Sequence, residues 1–397
     1  MEKKLVLVIN CGSSSIKFAL LNIANEKKII SGILEFNNNL IVINYIKKKK
    51  IYKTEIKIKK NKYEDSIKFI ICKLLASKSY LNILAIGHRV VHGGNFFLNP
   101  ILINKENLKE LEKCSNLAPL HNPFNILGIK ICLKIFPKLK KKNVAVFDTS
   151  FYKTIPKTSY MYAIPYNLYK KYNIRKYGAH GISHEYILNK LSNIIKKPIY
   201  EINFISCHLG NGSSVSVIKN GKCVDTSMGM TPLEGLIMGT RCGDIDPSII
   251  FYLNKNLNYS INKIKNILNK KSGFLGITEK TNDCRYIEKN YKKNKKCKLA
   301  INMYVHRLAK YIASYTTLIK NIDAITFTGG IGENSSIIRE KVIKKLEILK
   351  FYLEKKKNYF NSLNEYKIIS KKKSRKIIII HTEEELMIAK KAEKLVT

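Results

Sequence analysis

The chain has 397 residues, 72 Lys and Arg against 29 Asp and Glu (formal charge +43), 45% hydrophobic and 10% aromatic residues, nine cysteines and no tryptophan. Single cores stop growing at roughly 250–300 residues, so this length predicts two domains, and the apolar share excludes disorder as a global description. The opening MEKKLVLVINCGSSS offers five successive apolar residues, too few for a secretory core, and no stretch is long enough to span a bilayer, which predicts a cytoplasmic protein with no membrane partner. The cysteines run from Cys11 to Cys297 without a CxxC pair and read as reduced thiols, not as a disulfide frame or a zinc site. The positive excess is almost all Lys, in runs at 47–50, 140–142 and 371–373. These runs read as solvated faces and loops, with no nucleic-acid partner expected.

In chain order, residues 5–9 form a continuous apolar, β-branched run that stops at the turn signal 10–15 and resumes at 16–23: strand, tight turn, strand. A helix is expected over 63–77, a strand over 83–86, a helix over 105–114, a strand over 144–147 and a helix over 184–191. Phe204 and Ile205 then lead into His208-Leu209-Gly210-Asn211-Gly212 and an alternating run at 215–218, repeating the opening plan at an offset of 198 residues when His208 is set on Asn10. That offset is near half the chain and reads as an internal duplication, two similar halves facing a central cleft. A helix over 298–318, a strand over 324–327, a glycine turn over 327–334, a helix over 336–349 capped by Asn334 or Ser335, a strand over 377–380 and a helix over 383–395 complete an α/β pattern.

Three glycine- and hydroxyl-rich turns at strand ends point to phosphate, because backbone N–H groups approach an anion closely only where no bulky Cβ intervenes. None fits GxxxxGK[ST] or GxGxxG, which excludes P-loop NTPases and Rossmann dehydrogenases. The segment 225–247 (DTSMGMTPLEGLIMGTRCGDIDP) suits neither helix nor strand, and long ordered loops of this kind carry function. Within it Arg241 is bracketed by small residues, leaving its fork free for a carboxylate or phosphate. Arg89 stands at a strand end in GHRVVHGG, and His180 sits between small neighbours in GAHG.

These pieces, together with APLHNP, VFDTSF, YGAHGISH, SGFLGIT, DCRYIE, FTGGIGEN and TEEELMIA, run nearly end to end. They resemble the acetate kinase family of acyl-phosphate-forming kinases, within the superfamily of acetate and sugar kinases, Hsp70 and actin. The resemblance implies two RNase H-like (actin-like ATPase) domains, 1–149 plus 385–397 and 150–384, the second carrying most nucleotide contacts, and a homodimer. It implies reversible ATP-dependent phosphorylation of acetate to acetyl phosphate, with Mg²⁺, or Mn²⁺ in its place, and ATP and ADP as co-substrates. Propionate or butyrate kinase chemistry is the alternative inside the family, and a nucleotide-binding protein with decayed catalysis the alternative outside it.

By the same resemblance Asn10 and Glu384 match metal-site residues, Lys17 an ATP contact and Arg89 a carboxylate contact. His208, Leu209, Gly210, Asn211 and Gly212, then Asp283, Cys284 and Arg285, then Gly330, Ile331, Gly332, Glu333 and Asn334 match three nucleotide segments. Asp148 matches a proton donor or acceptor, and His180 and Arg241 match transition-state stabilisers. Val91, Leu120, Ala179 and Pro232 match the acyl pocket. A carboxylate nucleophile is already ionised at pH 7, so Asp148 is read here as an orienting group and not a base. The chain departs from the family pattern at Cys242, where Ser is common, and at Tyr152, where His is common. Cys207 and Cys284, beside nucleotide segments, lead to an expectation of thiol-reagent sensitivity protected by ATP.

Overall fold

The opening apolar run folds as β1 (Leu5–Cys11) and returns antiparallel as β2 (Ser15–Asn22), in a computed structural model that describes residues 4–58, 61–70, 83–119, 121–359 and 365–397. The chain divides into two compact units, Met1–Phe151 with Glu383–Thr397, and Tyr152–Thr382. The divisions follow Phe151 and Thr382 where the sequence suggests 149 and 384, so Glu384 belongs to the first unit.

In the first unit β3 (Lys27–Asn37), β4 (Leu40–Lys47), β5 (Lys50–Lys57), β6 (Ile83–Val90), β7 (Ile101–Leu102) and β8 (Asn143–Phe147) join the opening pair in the order β5-β4-β3-β2-β1-β6-β8-β7. β1, β6 and β8 run parallel, which places their C-terminal ends along one edge. Leu5, Leu7, Ile9 and Cys11 alternate onto one face and bury against Ile131 and Cys132 of the helix Asn122–Ile135. The C-terminal helix, Glu384–Val396, packs on β6, β1 and β8.

Both helices approach through glycine: a Cβ at Gly128 would lie 2.4 Å from Cys11 Sγ, and one at Gly87 would lie 2.6 Å from Ile388 Cγ2. Gly128→Ala is therefore expected to cost about 1–3 kcal/mol by overpacking, read as a lower urea midpoint; an unchanged midpoint would contradict the close approach.

The second unit repeats the plan. β9 (Phe204–Leu209), β10 (Ser213–Lys219), β11 (Lys222–Thr226), β12 (Ala324–Thr328), β13 (Tyr366–Ile368) and β14 (Lys376–Ile380) lie in the order β11-β10-β9-β12-β14-β13. β9 and β10 are antiparallel, and β12 is parallel to both β9 and β14. The inner order β11-β10-β9-β12-β14 mirrors β3-β2-β1-β6-β8, and Asn10 and His208 lie near the ends of equivalent strands. The helix Lys295–Tyr315 closes the core over Ile205, Cys207, Leu209, Val215 and Val217.

Several elements differ in extent from expectation. The helix expected over 63–77 spans Lys62–Phe69, and 71–82 lie outside the described residues. That over 184–191 begins earlier, as Gly181–Ile195, and that over 336–349 stops at Lys345, where Leu346 turns the chain into a short 3-10 segment. Ser335, not Asn334, caps that last helix, its Oγ accepting from Ile338 N at 3.1 Å. The glycine turn before it is itself one helical stretch, Gly329–Asn334. The Lys runs are exposed or half-buried: 47–50 spans the turn from β4 into β5, 140–142 ends the 3-10 segment Pro137–Lys142, and 371–373 lies in a turn. Among the described residues no helix is long and apolar enough to cross a membrane.

Two buried histidines stiffen the sheets. His88 on β6 sits 2.8 Å from Asn143 Oδ1 through Nε2, and burial pulls its pKa down to about 4. His184 is held well below the usual value by burial and by neighbouring His208. Below about pH 6.5 the unfolded chain takes up protons that these folded rings refuse, so stability falls as pH drops from 6.5 toward 4. By pH 5 the expected loss from His88 is on the order of 2 kcal/mol, with His184 adding to it in the same direction, measured as urea midpoints across pH, with a shallower slope for His88→Gln. Equal slopes for both proteins would contradict this.

Candidate functional site

In the first unit the common edge of β1, β6 and β8 gathers polar groups. Arg89 donates from Nε to both Asp148 oxygens at 3.2 Å and from Nη2 to Oδ2 at 2.7 Å, and its Nη1 lies 3.7 Å from Glu384 Oε2. Asp148 is 1% exposed, just past β8, with its N–H bonded to Val90 O at 3.0 Å. Burial raises the Asp148 carboxyl above the ordinary value, against the charge and hydrogen bonds of Arg89. Burial also works against the Arg89 charge, but Asp148 and Glu384 outweigh it and the guanidinium pKa is raised. Asn10 pairs across the β1–β2 ladder with Lys17, which is exposed.

Residues that sequence reasoning missed brace this edge. Asn125 donates to Cys11 O at 2.6 Å and accepts from Val91 N at 3.1 Å, tying β1 to the segment after β6. Tyr63 OH donates to Gly12 O at 3.1 Å and to Ser13 O at 3.2 Å, holding the first glycine turn. Val91 is half-buried, while Leu120 lies outside the described residues. No three His, Cys, Asp or Glu side chains gather as a metal cage among the described residues. The hard oxygen donors of Asn10 and Glu384 nevertheless fit Mg²⁺, which binds through one or two protein ligands and takes the rest from phosphate and water.

The second unit holds a cavity of about 710 Å³ lined by Gly210, Asn211, Gly239, Asn282, Asp283, Cys284, Arg285, Glu288, Gly330, Ile331, Asn334 and Ser335. It thus brings together parts of all three predicted nucleotide segments. A Cβ at Gly330 would meet nothing within 4 Å, whereas Gly329, at φ +76°, would meet Leu209 O at 2.8 Å. Gly330 is open to a ligand, and Gly329 is fixed by the backbone. Asp283 caps the helix Cys284–Lys289 and binds Arg285 at 2.9–3.0 Å, and Arg285 lowers its pKa; the Arg285 side chain is 91% exposed. Asn211 Oδ1 accepts from Asn282 at 2.9 Å.

Glu333, expected as a ligand contact, points elsewhere. Its carboxylate accepts from Gly329 N at 2.9 Å, Thr382 N at 3.2 Å and Thr328 Oγ1 at 3.2 Å and lies 2.6 Å from His381 Nδ1, so it braces its own turn. Gly332 and Leu209 are buried against the same strand ends. Cys207 is wholly buried in the core and burial raises its thiol, which removes it as a reagent target; Cys242 and Cys284 are partly exposed, and burial pushes both thiols up.

Beside the cavity, His180, His208, Gly212 and Arg241 converge. His180 has φ +61° at the start of its helix, a strained position for a non-glycine residue, and its ring stacks on His208 with centroids 4.3 Å apart. A Cβ at Gly212 would lie 3.3 Å from His180 Nε2 and 3.5 Å from Arg241 Nη1. Arg241 donates to Pro232 O at 3.2 Å and pairs with no carboxylate among the described residues; burial lowers its pKa. A half-buried cation without a counter-ion is an anion site in waiting. Ala179 is buried with Met228 and Met238, and its carbonyl accepts from Tyr152 OH at 2.5 Å.

The loop carrying Arg241 contains no regular element from 227 to 247, as its composition suggests. It is pinned by residues the sequence did not mark. Arg307 donates to Gly235 O at 3.3 Å and Asp244 O at 3.2 Å, Tyr311 OH reaches Asp244 Oδ2 at 2.7 Å, and Tyr162 bonds Glu234.

Duplicated sheets of this order, with phosphate-ready glycine turns, define the actin-like ATPase fold class. The Acetokinase family model matches residues 5–390, and the chain belongs to that family. It is 52% identical over 401 residues to an acetate kinase of Buchnera aphidicola subsp. Cinara cedri (strain Cc), an alignment covering 98% of this chain and 97% of that relative. Among solved structures, a propionate kinase from Francisella tularensis subsp. tularensis SCHU S4 matches with 44% identity and a TM-score of 0.92, over 99% of this chain and 100% of that one. An acetate kinase of Porphyromonas gingivalis matches with 36% identity and a TM-score of 0.92 over the same shares.

Proposed function

We propose that the protein catalyses reversible phosphoryl transfer from ATP to acetate, giving ADP and acetyl phosphate. The observation that carries this reading is the cavity lined by Gly210, Asp283 to Arg285 and Gly330, where three separate segments meet around open glycine backbone. The nucleotide lies there, with Lys17 as a further ATP contact. Asn10 and Glu384 would hold Mg²⁺, or Mn²⁺ in its place, which when bound would supply positive charge against the charge of the phosphates.

Arg89 takes the acid's carboxylate. Asp148, bonded to Arg89 through both oxygens, holds that fork in place. Acetate is ionised at neutral pH and attacks the γ-phosphorus in line without surrendering a proton, so Asp148 orients. His180 and Arg241 donate to the equatorial oxygens as charge spreads over them. Val91, Leu120, Ala179 and Pro232 line the acyl pocket. The two units correspond to two RNase H-like domains, the protein works as a homodimer in the cytoplasm, and no nucleic acid or membrane takes part.

The small Ala179 beside Met228 and Met238, together with the propionate kinase likeness, favours propionate as the second acid. One methylene discriminates only about 10- to 200-fold, so the acids are ranked by measurement. Acyl phosphate trapped as hydroxamate from Mg-ATP with acetate, propionate or butyrate is expected to give the highest kcat/KM for acetate. A higher value for propionate or butyrate would move the pocket assignment, and product from none of them would overturn the reading.

A further inference from the structure

His184 has no role in the transfer chemistry above, yet it lies at the centre of a buried chain. One helical turn beyond His180, its Nδ1 is 2.8 Å from Ser206 Oγ on β9 and its Nε2 is 2.9 Å from Ser214 Oγ on β10. Ser214 Oγ in turn lies 3.0 Å from His180 Nδ1. Ser206, Ser214 and His184 are all 0% exposed. A parallel tie runs from His208 Nδ1 to Ser183 Oγ at 2.8 Å and on to Thr382 Oγ1 at 2.8 Å, under the ring that stacks on His180.

Burial keeps His184 neutral, so it carries one N–H, and each serine carries one rotatable O–H. Two proton orders then satisfy the chain. In the first, Ser206 donates to His184 Nδ1, His184 Nε2–H donates to Ser214, and Ser214 donates to His180 Nδ1; the His180 proton sits on Nε2. In the second every bond reverses and a neutral His180 offers a lone pair from Nε2. That nitrogen faces the place beside Gly212 and Arg241, where an anionic phosphoryl oxygen repels a lone pair and accepts from an N–H.

We propose that Ser206, His184 and Ser214 are positioning residues, a hydroxyl–imidazole–hydroxyl relay that holds His180 as an Nε2–H donor toward the transferring phosphoryl group. The proposal rests on the kinase reading for its purpose but not for its geometry. The strained His180 backbone fixes where the ring sits, the His208 stack fixes its plane, and the Ser214 hydroxyl donating to Nδ1 holds the Nε2–H order that the phosphoryl oxygen selects.

The test uses full-length protein with isotope-labelled histidines, bound to Mg²⁺ and a non-hydrolysable ATP analogue, and reads the His180 nitrogen shifts by NMR. Wild type is expected to show a protonated Nε2 and a lone pair on Nδ1. Ser214→Ala is expected to lose that single tautomer and to lower kcat about 10- to 100-fold, with both KM values within about twofold and the melting temperature little changed. Ser206→Ala, one bond further away, is expected to shift the tautomer mixture by less, and Ser214→Thr, which keeps the hydroxyl, to restore it. An unchanged His180 tautomer in Ser214→Ala, or KM values that move as far as kcat, would overturn the relay. The NMR reading needs no turnover, so an inactive wild type with His180 ordered as stated would remove the kinase reading and leave the relay standing.

Discussion

Arg241→Ala is expected to lower kcat about 100- to 1,000-fold while leaving the melting temperature almost unmoved, the usual scale for removing one preorganised donor from a phosphoryl or acyl transition state. Arg241 has no carboxylate counter-ion among the described residues. It is half-buried; among those residues its fork is held by Pro232 O and a 3.8 Å approach to Met238 Sδ, and burial lowers its pKa with no carboxylate among them to restore it. A cation kept in that state contributes little to folding, so deleting it costs the fold little. It contributes where negative charge develops, and deleting it costs the rate. Arg241→Lys, which keeps charge but not the planar fork, is expected to fall between. A kcat within threefold of wild type for Arg241→Ala, measured by hydroxamate formation at saturating substrates, would remove Arg241 from the transition state.

Arg89→Met is expected to have the opposite signature, a large loss of stability together with a raised KM for the acid. It strands Asp148, 1% exposed, without its partner, and removing one side of a buried pair costs about 3–5 kcal/mol. Adding Asp148→Asn to Arg89→Met removes the orphaned charge and is expected to recover part of that loss in urea melts. Asp148→Asn alone leaves Arg89 beside Glu384 but loosens its fork, so kcat/KM for the acid is expected to fall with stability changed less than in Arg89→Met. Equal midpoints for wild type and Arg89→Met would mean that the pair contributes nothing to the fold.

These expectations divide along the line between what local sequence shows and what only packing shows. The glycine turns, the strand ends at Asn10, Arg89 and His208, and the loop around Arg241 were readable because bringing backbone to an anion demands small residues in a short stretch. The duplication was readable because the same demand occurs twice. The braces were not. Asn125 reaches Cys11 O across 114 residues of sequence, and Arg307 and Tyr311 hold Asp244 from an ordinary amphipathic helix. Nothing near those residues sets them apart from core or surface positions.

Glu333 shows the limit from the other side. It lies inside a readable motif, yet its carboxylate turns back onto Gly329 and Thr382, since an acid at a glycine turn satisfies the turn's own N–H groups first. The strands β3, β4 and β5 were hidden by the Lys and Asn between their Ile residues, where half-exposed strands blur into loop composition. The helix Asn122–Ile135 carries a weak period because it is buried on more than one side, with Ile126, Gly128, Ile129 and Ile131 all enclosed.

The central claim is that the phosphoryl group of acetyl phosphate is the γ-phosphoryl of ATP, joined to a carboxylate oxygen of the acid. The measurement that tests it most directly supplies Mg-ATP and acetate carrying heavy oxygen in its carboxylate, and follows the label into the products by mass spectrometry. Attack by the carboxylate at the γ-phosphorus predicts unlabelled ADP and acetyl phosphate with the label retained in its carbonyl and bridging oxygens. Labelled AMP, or ADP release with no acyl phosphate, would contradict it.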